Sequence, residues 1–289
     1  MKHLKRKLAD FSELVMFQHS IFSLPFIFIA MLVASFLGTG SAWFGWKLLF
    51  LGLIAALTAR NFAMGVNRYL DRDIDRLNPR TKNRPSVDGR VNNLEMMGFI
   101  VINGSLFVLS SYFVNPLAFK LSIPILIILG AYTLFKRFSS LAHLILGISL
   151  GLAPIAGVVA VSGEIPLWSI YLAIGVMFWV AGFDLLYSLQ DIEFDKSNGL
   201  HSIPSKFGAG NTMKIAGVFH LLTIIFWVLF VLTAKLGLWA QVAVLLSAMM
   251  LIYEHYLVNK DFRKIDKAFF TVNGYLGFMF ILFILIEVA

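Results

Sequence analysis

The stretch NRYLDRDIDRLNPRTKNRPSVDGR, residues 67–90, decides how this chain is interpreted, because it directly follows a long apolar run. Asn67, Asp71 and Asp75 are spaced four apart within it, so on a helix these three side chains point the same way. Basic residues surround the acids: Arg68, Arg72, Arg76, Arg80, Lys82, Arg84 and Arg90. A row of carboxylates beside a basic loop is suited to Mg²⁺ and a diphosphate.

A second acidic cluster closes a later apolar run. Tyr187, Asp191 and Asp195 are again spaced four apart, and the two aspartates follow Asp71 and Asp75 by 120 residues. Similar motifs at equal spacing predict an internal repeat, in which two halves face each other across a central cavity. We therefore expect both acidic clusters to meet on one metal-bridged anion.

The composition excludes a soluble globular domain. Of 289 residues 59% are hydrophobic and 14% charged, and the apolar residues form runs near the length that spans a bilayer. We predict an all-α, polytopic membrane protein with one domain over 1–289 and about nine transmembrane helices around a central cavity. The predicted segments are 14–37, 43–66, 94–114, 117–135, 140–162, 166–190, 212–234, 237–258 and 267–288. The absence of cysteine excludes disulfides and thiolate-bound metals.

The basic residues are distributed unevenly between the two sides of the membrane. The N-terminal residues and the loops after the even-numbered segments carry most of the 24 Lys and Arg, which places that side in the cytoplasm. Both acidic clusters then open to the cytoplasm. The net charge of +8 is accounted for by this orientation and a local anion site, so nucleic acid is not expected as a partner.

Each candidate residue also has a structural interpretation. The acids could pair with their own arginines, and the loop charges could serve orientation alone. We nevertheless expect Lys82 and Arg84 to contact a leaving diphosphate, and Lys136 and Arg137 to hold an anionic group of a second substrate. Asp184 lies inside an apolar run, where a carboxylate is costly, so it should have a partner or be protonated. His143 is more often a packing residue than a ligand contact.

At these residues the chain resembles the UbiA superfamily of intramembrane aromatic prenyltransferases, in its branch similar to 4-hydroxybenzoate polyprenyltransferases. The family's NxxxDxxxD motif matches Asn67, Asp71 and Asp75, and its YxxxDxxxD motif matches Tyr187, Asp191 and Asp195. The KNRP turn at 82–85 and the basic pair Lys136 and Arg137 also match. The N-terminal stretch departs from the RxxxP pattern of the hydroxybenzoate enzymes, which leaves the acceptor open.

The resemblance implies a Mg²⁺-dependent polyprenyltransferase in the bacterial cytoplasmic membrane, acting in ubiquinone or menaquinone biosynthesis. The metal would be held by Asn67, Asp71, Asp75, Asp191 and Asp195. A polyprenyl group would pass from its diphosphate to an aromatic acid, either 4-hydroxybenzoate or a dihydroxynaphthoate. Asp191 would polarise or deprotonate the acceptor's hydroxyl with Tyr187 assisting, and the prenyl tail would extend into lipid.

Two other classes also merit comparison. A cation-coupled transporter can carry carboxylates in apolar segments and internal repeats, but its sites tend to lie near the bilayer midplane. The acids here crowd at the ends of apolar runs beside basic loops, which favours the enzyme. A phospholipid-type alcohol phosphotransferase would need an aspartate spacing that neither cluster has.

Overall fold

The computed structural model describes residues 2–15, 24–262 and 265–289, and these ranges contain helices and connecting turns but no strands. Part of the first predicted segment, residues 16–23, and the basic residues Arg263 and Lys264 lie outside the described residues. The α-helices in chain order are α1 Lys2–Leu14, α2 Leu24–Thr39, α3 Trp46–Leu70, α4 Arg72–Leu77, α5 Pro85–Asp88, α6 Asn93–Val114, α7 Pro116–Ala131, α8 Ala142–Ser162, α9 Leu167–Tyr187, α10 Ile192–Ser197, α11 Ile203–Thr233, α12 Leu238–Lys260, α13 Ile265–Lys267 and α14 Asn273–Val288. Two 3₁₀ helices, Tyr132–Arg137 and Ser188–Asp191, and a π-helical turn, Ala268–Val272, complete the order.

Eight helical stretches in the described residues are long and apolar enough to cross a membrane, and the shorter apolar helix α2 joins them. The prediction of an all-α polytopic membrane protein with about nine spanning helices is thereby confirmed. Large apolar side chains are exposed along these helices, such as Ile252 with 70% and Ile127 with 65% of their surface uncovered. Such surfaces are stable only when another apolar medium covers them, and lipid provides it.

The described residues divide into two compact units. One comprises 2–15 and Phe50–Leu134, and the other comprises 24–49, 135–262 and 265–289. The single domain over 1–289 stays a prediction.

In the first unit, small residues let the helices approach closely. The ring of Phe62 on α3 lies where a side chain at Gly104 of α6 would be, within 3.1 Å of that position. Asn61 donates a hydrogen bond to Oδ1 of Asn103 at 3.1 Å, so two polar side chains in apolar helices satisfy each other. These contacts fix α3, which carries the first acidic motif at its end.

In the second unit, an aromatic core surrounds α9. Phe26, Trp179, Trp227 and Phe280 pack with ring centroids 4.9–5.6 Å apart between neighbouring rings of the group. All four side chains are fully buried, which makes α9 the centre of this unit and fixes the direction of its C-terminal end. The second acidic motif begins at that end.

Candidate active site

The first motif spans a bend rather than one continuous helix. Helix α3 ends at Leu70 and α4 begins at Arg72, with Asp71 between them at φ −92° and ψ 6°. The amide of Asp71 still donates to the carbonyl of Asn67 at 2.9 Å, and the amide of Asp75 donates to that of Asp71 at 2.8 Å. The four-residue repeat predicted from the sequence therefore survives the bend.

The carboxylate of Asp71 is held in a buried polar group. Its Oδ2 accepts hydrogen bonds from Asn67 Nδ2 at 2.9 Å and from Thr133 Oγ1 at 2.7 Å. Asn67 Nδ2 also donates to Thr133 Oγ1 at 2.7 Å, so the side chains of Asn67, Asp71 and Thr133 are all hydrogen-bonded to one another. Thr133 belongs to no acidic or basic pattern, so nothing in the sequence predicted its role.

Two arginines hold the carboxylate of Asp75. Arg84 Nη1 donates to Oδ1 at 2.7 Å, while Arg68 Nη1 lies 3.9 Å from Oδ2. That Oδ2 atom is buried and accepts no hydrogen bond within the described residues. Arg84 thus pairs with an acid of its own motif, which is the structural interpretation of these charges, while Lys82 is exposed. Contact of either residue with a diphosphate stays a prediction.

Arg90 belongs to the basic loop in the sequence, but in the structure it binds acidic side chains of the first unit. Its guanidinium makes two hydrogen bonds to Glu13 of α1, at 2.6 and 2.8 Å, and one to Asp88 at 2.8 Å. These hydrogen bonds, first those to Glu13 and then that to Asp88, raise the pKa of Arg90. Arg90 also donates to the carbonyl of Asn83 at 2.9 Å, so it ties the N-terminal helix to the loop beside Arg84.

The second motif repeats the local form of the first. Helix α9 ends at Tyr187, the 3₁₀ turn Ser188–Asp191 follows, and α10 begins at Ile192. Asp191 has φ −103° and ψ 5°, nearly the values of Asp71, and both α4 and α10 are six residues long. The two motifs therefore share this local backbone form, while the repeat of two halves across a cavity stays a prediction.

Around the second motif, the structure gathers several predicted residues within one unit. Ser202 Oγ donates to Asp195 Oδ2 at 2.7 Å, and Lys136 and His143 lie close enough to Asp195 to interact with its charge. The carbonyl of Lys136 accepts from the amide of His201 at 2.9 Å, which anchors the basic pair beside the motif. Arg137 next to it is exposed.

Tyr187 packs against aromatic rings of the π-helical turn. Its ring centroid lies 4.3 Å from that of Phe269, and Phe269 in turn meets Phe183 edge-on at 5.2 Å. Asn273, the residue after this turn, fixes it through two hydrogen bonds. Its Oδ1 accepts from the indole N–H of Trp179 and its Nδ2 donates to Glu254, each at 2.7 Å. Rings in this position can stabilise a developing cation through their faces.

Asp184 has the partner that its place in an apolar run requires. His143 Nδ1 lies 2.7 Å from Asp184 Oδ2, joining α8 to α9. A hydrogen-bonded histidine between two packed helices agrees with the expectation for His143, and the sequence signal for the pair was the isolated carboxylate itself. Arg68 was grouped with the basic residues around the first motif but not assigned to Asp75, and Ser202 was not assigned a role from the sequence.

The donor set suits a metal that arrives with its substrate. In the described part of the chain no three His, Cys, Asp or Glu side chains gather closely enough to hold a metal ion by themselves. Mg²⁺ commonly binds through one or two carboxylates and the phosphates of its substrate, so the carboxylates of each motif fit that pattern. The buried Asp75 Oδ2 atom, which accepts no hydrogen bond, is one such oxygen.

The fold and these motifs define a class, that of polytopic helical membrane proteins with two repeated acidic motifs at helix ends. The chain belongs to the UbiA prenyltransferase family, whose model matches residues 24–284. It is 27% identical over 242 residues to a 4-hydroxybenzoate octaprenyltransferase of Vibrio campbellii, covering 83% of this chain and 84% of the relative. A second relative of the same name, from Herminiimonas arsenicoxydans, is 28% identical over 234 residues, covering 80% of this chain and 81% of its own length.

Solved structures show the same architecture. A UbiA homologue from Aeropyrum pernix superimposes with a TM-score of 0.84 and 31% identity, covering 94% of this chain and 98% of the other. One from Archaeoglobus fulgidus, bound to DMAPP and Mg²⁺, has a TM-score of 0.77 and 21% identity, covering 96% of this chain and 99% of the other. The recognition of the family from its two motifs is confirmed. Convergence of the motifs on one anion stays a prediction.

Proposed function

We propose that this chain transfers a polyprenyl group from a polyprenyl diphosphate to a ring carbon of 4-hydroxybenzoate, as a step in quinone biosynthesis. The observation that carries the proposal is the repeated acidic motif, which has the same bend at Asp71 and at Asp191. The relatives named for this reaction support the acceptor. A dihydroxynaphthoate of menaquinone biosynthesis is the alternative acceptor, because the N-terminal stretch lacks the hydroxybenzoate pattern.

We assign the Mg²⁺ site to the amide and carboxylate oxygens of both motifs: Asn67, Asp71, Asp75, Asp191 and Asp195. When bound, Mg²⁺ would neutralise charge on the diphosphate and so favour its departure. The Asn67 and Thr133 hydrogen bonds orient the Asp71 carboxylate, while Arg84 and Arg68 orient that of Asp75. Preformed orientation matters because these groups then need little rearrangement when charge develops.

Cationic side chains receive the leaving diphosphate. Arg84 is fixed at the first motif by Asp75, and its other donors are free to contact phosphate oxygens in the planar geometry that arginine favours. Lys82 is exposed two residues earlier in the same turn and adds a second positive charge. Cleavage of the allylic C–O bond leaves a cation that the rings near Tyr187, Phe183 and Phe269 stabilise.

The second unit carries the groups for the acceptor. Asp191 polarises the phenolic hydroxyl, Tyr187 helps to position the ring, and Arg137 with Lys136 binds the carboxylate. Activation of the hydroxyl makes the adjacent ring carbon more nucleophilic, so that carbon attacks the prenyl cation. We place this chemistry at the cytoplasmic face of a bacterial inner membrane, with the prenyl tail in the lipid bilayer.

The experiment is a product assay with purified protein, Mg²⁺, labelled octaprenyl diphosphate and each candidate acid, with the product identified by mass. We expect prenylated 4-hydroxybenzoate, lost on chelation of the metal. Asp71→Asn should lower turnover about 100-fold, as removal of a key electrostatic group does.

The matched control is Asp73→Asn, which removes an exposed carboxylate from the same short helix and should leave turnover unchanged. If only the dihydroxynaphthoate is prenylated, the acceptor of the enzyme is the dihydroxynaphthoate and not 4-hydroxybenzoate. If neither acid is prenylated and no diphosphate is released, the proposal is contradicted. The alternative function, a cation-coupled transporter, would then be favoured.

A further inference from the structure

The pair formed by Asp184 and His143 has no part in the mechanism above, although it stands in the same unit as the second motif. His143 is 7% exposed, and its Nδ1 lies 2.7 Å from Asp184 Oδ2. A carboxylate within a membrane helix is expensive to retain and is usually functional. A helix–helix contact alone could be made by neutral side chains, so the carboxylate itself calls for an explanation.

Asp184 has one oxygen engaged and one available. Oδ2 meets His143, while Oδ1 accepts no hydrogen bond within the part of the chain that the structure describes. The side chain keeps 21% of its surface exposed, whereas its neighbours Phe183 and Leu185 are buried. The free oxygen therefore belongs to an accessible face of α9.

That accessible face continues into the second motif. Asp184, Tyr187, Asp191 and Asp195 are all partly exposed, at spacings of three to four residues, whereas Leu186 and Leu189 between them are buried. Asp184 and Tyr187 lie three residues apart at the end of α9, so they share one side of that helix. At the rise of a helix, Asp184 lies roughly 5 Å further into the apolar run than Tyr187, where the second motif begins. A substrate group held beyond the diphosphate would meet Asp184 next.

Prenylation of an aromatic ring requires a base at this point. When the ring carbon bonds to C1 of the prenyl cation, that carbon becomes tetrahedral and the ring carries the positive charge. The C–H bond at the same carbon must then break, its electron pair must return to the ring, and its proton must pass to an acceptor.

We propose that Asp184 is this proton acceptor, and this rests on the function proposed above. The carboxylate Oδ1 takes the ring proton and becomes a carboxylic acid, and the prenylated acid leaves with its aromatic ring restored. The proton is then passed to water after the product has left. Asp191 keeps its separate role at the hydroxyl and the metal.

His143 is a positioning residue for this base. Its Nδ1 lies 2.7 Å from Asp184 Oδ2, and in the tautomer that carries a proton on Nδ1 it holds the carboxylate by a hydrogen bond to that oxygen. The other charged groups near this part of the unit are Asp191, Asp195 and Lys136, which interact with one another through Asp195. None of these makes a hydrogen bond to Asp184 within the described residues.

The test compares ring-deuterated with ordinary 4-hydroxybenzoate in wild type and in Asp184→Asn, which retains an oxygen for His143. We expect product formation to fall about 100-fold in the variant, the range for loss of a general base. Wild type should show no isotope effect, because its proton loss is fast. The variant should show a primary isotope effect, because breaking the C–H bond becomes rate-limiting.

Diphosphate release, measured in the same reactions, separates this role from a structural one. Asp184→Asn should still release diphosphate, since ionisation of the donor precedes proton loss. His143→Leu should lower product formation less than Asp184→Asn and also introduce the isotope effect. Glu193→Gln, an exposed acid in α10, is the control and should behave as wild type in both readouts.

Two results would overturn the proposal. One is wild-type product formation by Asp184→Asn without an isotope effect; the other is a parallel loss of product and diphosphate release, which would make the pair structural. If wild type forms no prenylated product at all, the proposed function fails and the proton acceptor fails with it.

Discussion

At the scale of single residues, the two carboxylates of the first motif are kept buried by different means. Asn67 and Thr133 donate hydrogen bonds to the carboxylate of Asp71, whereas Arg84 donates to that of Asp75. Arg68 lies close enough to interact with the charges of both. A buried carboxylate without a partner would be strongly destabilising, so these contacts matter to the stability of the first unit.

Arg137 provides a residue-scale prediction about the acceptor. Arg137→Ala should raise the KM for 4-hydroxybenzoate about tenfold, because a charge-assisted hydrogen bond to its carboxylate is lost. The KM for the polyprenyl diphosphate should change little. Steady-state kinetics with each substrate varied in turn measures both values.

Arg80→Ala is the control for that measurement, because Arg80 is an exposed arginine to which we assign no substrate. An equal rise in both KM values for Arg137→Ala would assign Arg137 to the diphosphate instead.

At the scale of elements, the sequence predicted the acidic faces but not the bends that carry them. Four-residue spacing defines a helical face, and the backbone hydrogen bonds to Asp71 and Asp75 preserve it. The bends themselves depend on packing against other helices, which no local pattern records. The same holds for Thr133, and for the π-helical turn that brings Phe269 to Tyr187.

Close helix packing in the second unit gives a prediction about stability. A methyl group at Gly147 of α8 would collide with the carbonyl oxygen of Met177 on α9. Gly147→Ala should therefore destabilise the protein by about 1–3 kcal/mol, because a helix backbone cannot relieve the clash by changing rotamer as a side chain can. Thermal unfolding of the detergent-solubilised protein measures the loss as a lower midpoint.

Gly98→Ala in α6 is the matched control, since nothing lies within 4 Å of a methyl group at that position. It should stabilise the protein by up to about 1 kcal/mol, because alanine favours a helix over glycine. Equal effects of the two substitutions would contradict the tight α8–α9 contact.

At the scale of the whole molecule, hydropathy and charge were enough to predict the number of spanning helices, because a bilayer imposes both length and composition. Segment ends were predicted less well: the run expected at 212–234 belongs to α11, which begins at Ile203 and bends at Gly208. A polar helical turn ahead of an apolar run has no hydropathy signal. Orientation, by contrast, depends on the distribution of charge and can be tested directly.

The chain contains no cysteine, so single cysteines report orientation without background. Glu164→Cys and Asn198→Cys place a thiol at exposed positions before and after the span that carries the second motif. In intact bacterial cells an impermeant maleimide should label only the first, and permeabilised cells should label both. If Asn198→Cys is labelled in intact cells, the predicted orientation is wrong and the acidic motifs face the outside of the cell.

Arg90 has a practical consequence for handling this protein. It joins Glu13 near the end of α1 to the carbonyl of Asn83, the residue that precedes Arg84. Displacement of α1 would break these contacts beside Arg84, the arginine that holds Asp75. Affinity tags are therefore better placed at the carboxyl terminus, away from α1.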